Sequence, residues 1–386
     1  MFALMHPAGR QMFLETAGVA MNASSYFSQS YAQARSKFLD ACAAAGLPVE
    51  SHVHPLAGRD GETLAVDVAR AGPTDAQRLL IISSGCHGVE GFCGSGVQSA
   101  LLADTEWREH ARRNDCAVLY LHAANPYGFS WWRRWTQENV DLNRNFRDFT
   151  QAAPQNPGYA QLDPVLAPRR WPSPLGRLRL LGYALRHGRW ELQRAISSGQ
   201  ATHPDGLFFS GTQPTWSNCT VRQVLRQHGR QCREMAWIDV HTGLGPSGYG
   251  EYIYSGDPRP EALLRARAWW GDEVRSTEEG NSVSVKLSGK LVHAALEECP
   301  QALLISMSLE FGTVPGPQVL EALRADQWLQ RNPDAPAAKV RRIKQQLRDA
   351  FYVDTEQWKQ AVLTRAREAA WRAVEGLSSE IPMALA

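Results

Sequence analysis

The chain has 386 residues, of which 44% are hydrophobic and 21% are charged, and its formal net charge is +2. This is the composition of an ordinary globular protein, and so small a net charge gives no indication of a nucleic-acid or membrane partner. No apolar run reaches the length of about 18 residues that a membrane span requires. The 7 cysteines are an odd number and form no C-x-x-C pair, which favours reduced thiols in a cytoplasmic protein over a disulfide framework or a zinc finger.

Residues 1–20 have no clear hydrophobic periodicity, and we interpret them as a flexible N-terminal arm before a single domain over 21–386. Hydrophobic spacing, glycine and proline then predict helices and strands that alternate along the chain. In chain order, these are a helix over 25–45, a turn over 54–58, strands over 64–69 and 79–82, a helix over 96–104 and a strand over 117–122. Further on, they are a helix over 178–196, strands over 236–240 and 302–309, and one or two amphipathic helices over 338–377.

Residues 150–215 differ from their surroundings because they are rich in proline, glycine and arginine. They contain too few strong apolar segments to form a core of their own, so we interpret them as an insertion on the sheet. Strands that alternate with helices predict an α/β fold, with a mostly parallel or mixed twisted sheet and helices on both faces.

His87 and Glu90 follow the predicted strand over 79–82, inside a glycine-rich turn. Open α/β sheets bind ligands outside the carboxyl ends of their strands, so this turn lies where such folds carry out chemistry. An H-x-x-E pair can direct both side chains at one zinc ion. A single match is weak by itself, because a loop histidine beside a solvated glutamate would look the same.

His241 and Glu310 each follow a predicted strand as well, and they could complete such a site. Two histidines and one carboxylate are the ligands of many catalytic zinc sites, which keep a fourth position open. We therefore predict one zinc ion per chain, bound by His87, Glu90 and His241, with Glu310 as the base that accepts a proton from water. The alternatives are that His241 is bonded to Asp239 or the backbone, and that Glu310 forms a structural ion pair.

The segment at 125–146, NPYGFSWWRRWTQENVDLNRNF, makes the pattern more specific. With it, the chain resembles the zinc carboxypeptidase superfamily. In family order, it has the H-x-x-E pair, an N-P-x-G-F turn at 125–129, a D-x-N-R-N segment at 141–145, and the later His and Glu in HTGLG and LEFGT. The resemblance covers residues 80–315. It is also similar to the succinylglutamate desuccinylase and aspartoacylase branch, whose motif reads D-L-N-R, and to a bacterial branch with HGVEG, VDLNRNF, HTGLG and LEFGT segments.

The resemblance implies a zinc-dependent hydrolase that cleaves an amide bond next to a free carboxylate, either a carboxypeptidase or an N-acyl amino acid deacylase. The substrate would be a peptide or a small molecule with a free carboxylate, attacked by water that the zinc activates. Asn143 and Arg144 would bind the carboxylate, for which a guanidinium group is a natural partner. One of Arg133 and Arg134 would stabilise the oxyanion. The W-R-basic pattern of the family favours Arg133, with Arg134 as the alternative.

Carboxypeptidases also close a mobile tyrosine over the substrate, and three tyrosines follow the third predicted ligand here. They are Tyr249, Tyr252 and Tyr254, of which we take Tyr252 as the candidate, although no motif distinguishes them. The insertion at 150–215 has no counterpart in the family pattern. The resemblance therefore predicts the chemistry more closely than it predicts the substrate.

Two other classes of function are compatible with the sequence. A non-catalytic binding protein could keep the fold and the metal, but an intact Glu310 argues against it, because binding alone needs no base. A thiol or serine hydrolase could use Cys86, Cys93 or Ser95. However, FCGSG at 92–96 is not a G-x-S-x-G nucleophile motif, and no acid or base partner is indicated.

Overall fold

The computed structural model describes residues 22–379. This part of the chain contains a mixed β-sheet of 8 strands. Its strands are β1 (Val49–Ala57), β2 (Thr63–Ala71), β3 (Arg78–Ser83), β4 (Cys116–His122), β5 (Glu234–Ser247), β6 (Gly250–Tyr254), β7 (Arg275–Ser276) and β8 (Leu303–Gly312). They lie in the order β1-β2-β4-β3-β5-β8-β6-β7. The central strands β4, β3, β5 and β8 are parallel, whereas the pairs β1–β2, β2–β4 and β8–β6 are antiparallel.

Helices cover both faces of this sheet. They are α1 (Tyr31–Ala44), α2 (Gly91–Ala103), α3 (Thr105–Arg113), α4 (Pro126–Ser130), α5 (Pro157–Leu166), α6 (Pro174–His187), α7 (Arg189–Ser197), α8 (Trp216–His228), α9 (Pro260–Trp270), α10 (Ala294–Glu298), α11 (Gly316–Gln330), α12 (Ala337–Phe351) and α13 (Glu356–Ser378). Helices α1, α2, α3, α9 and α13 pack on the face that includes Leu80 and Ile82, and α8 and α10 pack on the face that includes Leu79 and Ile81. Because consecutive strand residues point to opposite faces, β3 is apolar throughout. The predicted α/β fold class is confirmed.

Strand β1 departs from the predicted turn over 54–58. The strand continues through Pro55 and ends at Ala57, with an irregular register between Val53 and Ala57. Proline cannot donate a backbone hydrogen bond, but β1 is an edge strand, where one side of the backbone needs no partner. The predicted turn is therefore wrong, because proline can mark an edge strand as well as a turn.

The helix predicted over 178–196 is two helices. Helices α6 and α7 meet at Gly188, whose φ of 91° lies in the left-handed region that favours glycine. Together with α5, they pack against α11 and α12 through a separate cluster that includes Leu166, Leu180 and Leu347. Residues 150–215 contribute no strand to the sheet, which agrees with the interpretation of this segment as an insertion.

The C-terminal prediction over 338–377 corresponds to two helices, α12 and α13. The described helices include none that is both long and apolar enough to cross a membrane. The prediction of a flexible arm concerns residues 1–20, which lie outside the described residues. The division into an arm and a single domain stays a prediction.

Candidate active site

The carboxyl ends of the parallel strands bring predicted site residues to one edge of the sheet. His87 and Glu90 lie in the turn after β3, while His241 is near the end of β5. Glu310 of β8 is the direct register partner of His241 on one side and of Glu251 on the other. Register partners point to the same face of a sheet, so these three side chains form a row across neighbouring strands.

Three potential metal ligands meet at this edge. His87 Nδ1 lies 2.9 Å from Glu90 Oε1, His241 Nδ1 lies 3.0 Å from Glu90 Oε2, and the two Nδ1 atoms are 3.2 Å apart. All three side chains are buried. Tetrahedral ligands that are each about 2.1 Å from a zinc ion lie roughly 3.4 Å from one another. The spacing of these atoms therefore fits a single zinc ion.

The second ring nitrogen of each histidine faces a buried carboxylate. His87 Nε2 lies 3.1 Å from Asp141 Oδ1, and His241 Nε2 lies 2.7 Å from Asp239 Oδ2. Because a carboxylate accepts hydrogen, we assign the hydrogen of each neutral ring to Nε2, which leaves a lone pair on each Nδ1. Metal-binding histidines commonly have such outer partners. Two imidazoles and a carboxylate are then a donor set suited to zinc.

The charges around the ligands favour a cation at this position. Burial, the largest influence, raises the pKa of Glu90, but His87, His241 and Arg134 together outweigh it and hold that pKa well below its usual range. Burial lowers the pKa of His241, but Asp239 and Glu90 reverse the effect and raise it well above its usual range. The same carboxylates that attract a proton to His241 would attract a metal ion, and Glu90 is ionised, as a ligand must be.

A second group, Cys86, Asp239 and His241, also has ligand atoms within 4.8 Å of one another. Asp239, however, is already bonded to His241 and accepts a hydrogen bond from Ser83 Oγ at 2.6 Å. Burial and then the charge of Asp239 raise the pKa of the Cys86 thiol, which disfavours the thiolate that binds metals. We therefore assign Asp239 as the outer partner of His241.

A backbone amide of the HTGLG segment holds the carboxylate of Glu310. Leu244 N donates to Glu310 Oε1 at 3.0 Å, and the preceding Gly243 has a φ of 126°, which favours glycine. Burial and then the charge of Glu90 raise the pKa of Glu310 to about 8. A bound cation would favour the carboxylate and lower this pKa. Glu310 is thus a candidate general base, because it is buried beside the predicted ligands and its carboxylate can take up a proton.

Arg134 is directed at the ligands. Its Nη1 donates to Glu90 Oε1 at 2.9 Å, and its Nε donates to Asp141 Oδ2 at 3.2 Å. Its Nη2 lies 2.7 Å from His87 Nε2, which cannot accept this hydrogen while it donates its own to Asp141. The N–H groups of Arg134 Nη2 therefore remain for another acceptor beside the ligands.

Arg133 points elsewhere. Its Nη2 donates to Asn139 Oδ1 at 3.0 Å, and its Nε lies 3.5 Å from Asp326 Oδ2 on α11. The family pattern favoured Arg133, but the geometry places Arg134 against the ligands. Trp132, directly before Arg133, has an unusual φ of 49°. The sequence does not reveal this backbone conformation, and two adjacent arginines look alike without it.

The N-P-x-G-F turn connects Arg134 with the turn that carries two ligands. Asn125 Oδ1 accepts a hydrogen bond from Gly128 N at 2.9 Å and so caps α4, while its Nδ2 donates to Arg134 O at 3.3 Å. Gly88 N donates to the same carbonyl oxygen at 3.2 Å. Two sequence motifs that lie far apart in the chain thus meet through backbone contacts.

Gly88→Ala should disturb this contact and the metal site with it. A Cβ at Gly88 would lie 2.0 Å from the backbone carbon of Gly128, which cannot move without shifting α4. We expect the free energy of unfolding to fall by about 1–3 kcal/mol. Zinc content should fall too, because Gly88 lies between two predicted ligands. Chemical denaturation and elemental analysis would measure both. Gly316→Ala is the control, since nothing lies within 4 Å of its added Cβ. A variant with the stability and zinc content of wild type would contradict this account.

Arg144 lies beneath the insertion. Its Nη1 donates to Asn143 O at 3.0 Å, and its Nη2 donates to Ser197 O at the end of α7 at 2.6 Å. Its Nε is buried and has no hydrogen-bond partner among the described residues. Asn143 Oδ1 accepts a hydrogen bond from Leu291 N at 2.9 Å. Arg144 therefore contacts the insertion and keeps one buried donor for a ligand.

The structure does not bring Tyr252 to the site. Tyr252 follows Glu251 on β6, so its side chain points to the opposite face of the sheet. There it is buried, with the guanidinium carbon of Arg365 on α13 3.6 Å from its ring centroid. This placement corrects the prediction that Tyr252 contacts substrate. Tyr254 points to the same core, and Tyr249 is 44% exposed in the turn between β5 and β6.

The alternative nucleophiles Cys86, Cys93 and Ser95 are all buried. Burial raises the pKa of the Cys93 thiol well above its usual range, which is the reverse of what an activated nucleophile needs. Ser95 Oγ lies 2.9 Å from His122 Nε2, but that histidine stacks on Phe38 inside the apolar core. The structure therefore gives no support to a thiol or serine hydrolase.

Two carboxylates that contact the predicted histidine ligands were not predicted as site residues from the sequence. In the sequence, Asp141 is the first residue of the D-x-N-R-N segment, and Asp239 is an alternative partner of His241. The signal for Asp239 is its position two residues before His241, because residues i and i+2 of a strand share a face. No comparable spacing connects Asp141 with His87.

The chain matches the family described as "Protein of unknown function (DUF2817)" over residues 27–365. The chain belongs to this family. All the site residues of this DUF2817 protein that are described above lie within the matched range. No curated protein matches the chain.

Among solved structures, the DUF2817 protein is similar to carboxypeptidase A from Helicoverpa armigera, with 12% identity, a TM-score of 0.43, and 83% of this chain and 74% of that chain covered. It is similar to a metallo-carboxypeptidase from Burkholderia cenocepacia, with 11% identity, a TM-score of 0.41, and coverage of 92% and 70%. It is also similar to bovine thrombin-activatable fibrinolysis inhibitor, with 12% identity, a TM-score of 0.43, and coverage of 89% and 100%. Two of these three solved structures are carboxypeptidases by name.

Proposed function

We propose that this DUF2817 protein is a zinc-dependent hydrolase that cleaves an amide bond next to a free carboxylate. The observation that carries the proposal is the meeting of His87, Glu90 and His241 beside Glu310, which is the register partner of His241. A site that only binds a ligand needs no base beside its metal. The substrate would be a peptide with a free carboxyl terminus or an N-acyl amino acid.

Zinc bound by the three ligands would polarise a water molecule and the substrate carbonyl. Glu310 would accept a proton from the attacking water and later donate it to the leaving amine, so that one group serves both steps. Arg134 would donate an N–H of Nη2 to the oxygen on which negative charge develops. Asp141 and Asp239 would keep the two histidine rings in the tautomer that presents Nδ1.

The experiment that tests this function combines metal analysis with a substrate screen. The purified protein should contain one zinc ion per chain and hydrolyse at least one member of a panel of dipeptides and N-acyl amino acids. A chelator should abolish hydrolysis, and added zinc should restore it. Zinc without hydrolysis of any member would favour a binding protein that keeps the metal site, whereas hydrolysis that survives removal of the metal would contradict the proposed chemistry.

Arg144→Ala should weaken binding of substrates with a free carboxylate. Loss of a charge-assisted contact in a desolvated site costs about 2–5 kcal/mol. The measurement is the ratio of kcat/KM for a carboxylate substrate to that for its amidated form, which should fall. Arg147→Ala is the matched control, because Arg147 stacks on Phe149 and donates to Gly211 O instead. Since Arg144 also donates a hydrogen bond to Ser197 O, the melting temperature of the variant should be measured to separate a loss of stability from a loss of binding. An unchanged ratio would remove Arg144 from carboxylate binding.

A further inference from the structure

Helix α6 of the insertion exposes an apolar stripe. Its buried side, which includes Gly176 and Leu180, faces the protein. Large apolar side chains on α6 and at the start of α7 are between 56% and 80% exposed. These are Leu175, Leu178, Leu181, Leu185 and Trp190, which are five of the nine exposed large hydrophobic residues in the described part of the chain. So strong a concentration in one short segment indicates a binding surface.

Arginines border this stripe. With 3.6 residues per turn, Leu178 and Leu185 lie opposite the buried side of α6, Arg177 lies on one flank, and Arg179 and Arg186 lie on the other. Positions 164–190 contain no aspartate or glutamate. They contain six exposed arginines, namely Arg169, Arg170, Arg177, Arg179, Arg186 and Arg189. The overall net charge of +2 hides this local excess, which is the reason that composition gave no indication of it.

A basic cavity of about 730 Å³ opens beside the first turn of α6. Arg169, Arg170 and Arg331 line it, together with Leu175 from the apolar stripe and a single carboxylate, Asp163. Arginine pairs well with phosphate groups, and the positive end of the α6 dipole is adjacent. The surface therefore joins an apolar stripe to a site suited to phosphate.

We propose that α6 and the start of α7 bind the surface of a bilayer that contains anionic lipids. The leucines and Trp190 would enter the boundary between headgroups and acyl chains, while the flanking arginines contact headgroup phosphates. Helix α6 has 14 residues and is about 21 Å long, which suits a helix that lies in the plane of the surface. The inference is independent of the proposed hydrolase function.

A second copy of the chain suits this surface less well. A two-fold contact would place the same patch on both sides of the interface, so arginines would face arginines. Glu191 and Glu321 already pair with Arg194 and Arg177 on the same molecule. An anionic lipid surface instead complements the whole patch.

The test is sedimentation of the full chain with phosphatidylcholine vesicles that contain or lack phosphatidylglycerol. The protein should sediment with the anionic vesicles, and high salt should weaken the binding. Leu178→Ser/Leu185→Ser should lower the partition coefficient by at least about tenfold, and Arg179→Gln/Arg186→Gln should do the same. Leu264→Ser is the matched control, since Leu264 is an exposed leucine on α9. Circular dichroism and zinc content would confirm that each variant is folded.

Several results would overturn the proposal. One is a wild-type protein that does not sediment with anionic vesicles. Another is binding that both double variants retain in full. A third is a stable dimer in solution that the leucine variant converts to a monomer, because a second copy would then occupy the stripe. If the leucine variant fails to fold, the arginine variant decides alone, since both arginines are exposed and glutamine is also a good helix former.

Discussion

Glu310→Gln should lower kcat by about 10²–10⁴-fold on any substrate that the protein hydrolyses, while the protein keeps its zinc and melts near the wild-type temperature. Glutamine has nearly the same shape and can still accept the hydrogen bond from Leu244 N, but it cannot take up a proton from water. We therefore expect the substitution to lower kcat without changing zinc content or stability. Steady-state kinetics, elemental analysis and thermal denaturation separate the three possible roles of this residue.

Each alternative role of Glu310 predicts a different result. A fourth metal ligand would lose zinc on substitution, and a buried structural ion pair would lose stability. Glu251→Gln is the matched control, because Glu251 is the register partner of Glu310 and is buried on the same face. Glu251 Oε1 accepts hydrogen bonds from Ser282 Oγ and Val283 N in a neighbouring loop, and the amide oxygen of glutamine can accept both. A Glu310→Gln protein with wild-type turnover would leave the proton acceptor to be found elsewhere.

His241→Ala should remove most of the zinc and, with it, the activity. Loss of an outer partner of a metal ligand costs roughly 10–100-fold in affinity, and loss of a ligand should cost at least as much. Elemental analysis of the purified variant and titration with zinc would measure this. Because alanine would leave Asp239 Oδ2 buried without its partner, His241→Asn serves as a second variant that keeps a polar group there.

His122 provides the control for this experiment. It ends β4 as a buried histidine at the same edge of the sheet, but it is bonded to Ser95 and does not face the ligands. His122→Ala should lose stability and keep its zinc. Full zinc content in both His241 variants would refute the ligand assignment.

The three strands that lead to the site were predictable from the sequence because each has a largely apolar local pattern, although β5 continues to Ser247, beyond the predicted end at 240. Largely apolar runs that lead to a polar residue identified His87, His241 and Glu310 at or near the carboxyl ends of β3, β5 and β8. Parallel strands share one edge, so the convergence of these residues followed from the fold class. The order of the strands could not be derived from the sequence pattern, and neither could the direct pairing of His241 with Glu310.

Side-chain direction was harder to predict, because it depends on details that hydrophobic pattern does not contain. The face of Tyr252 is determined by strand parity, and a shift of one residue reverses it. The choice between Arg133 and Arg134 depends on an unusual backbone conformation at Trp132. The contact of Arg144 with α7 depends on where the insertion packs, which no local motif encodes.

The pairing of His241 with Glu310 has a consequence for how this family can diverge. These residues are joined through the hydrogen bonds of β5 and β8, whereas Arg134 and Arg144, which we propose to contact substrate, lie outside the strands, and Arg144 contacts the insertion. Loops tolerate gain and loss of residues far better than paired strands do. Insertions and deletions outside the two strands can therefore reshape what enters the site while the distance between ligand and base stays the same. Descendants of one ancestor could in this way acquire different substrates and keep a single chemistry.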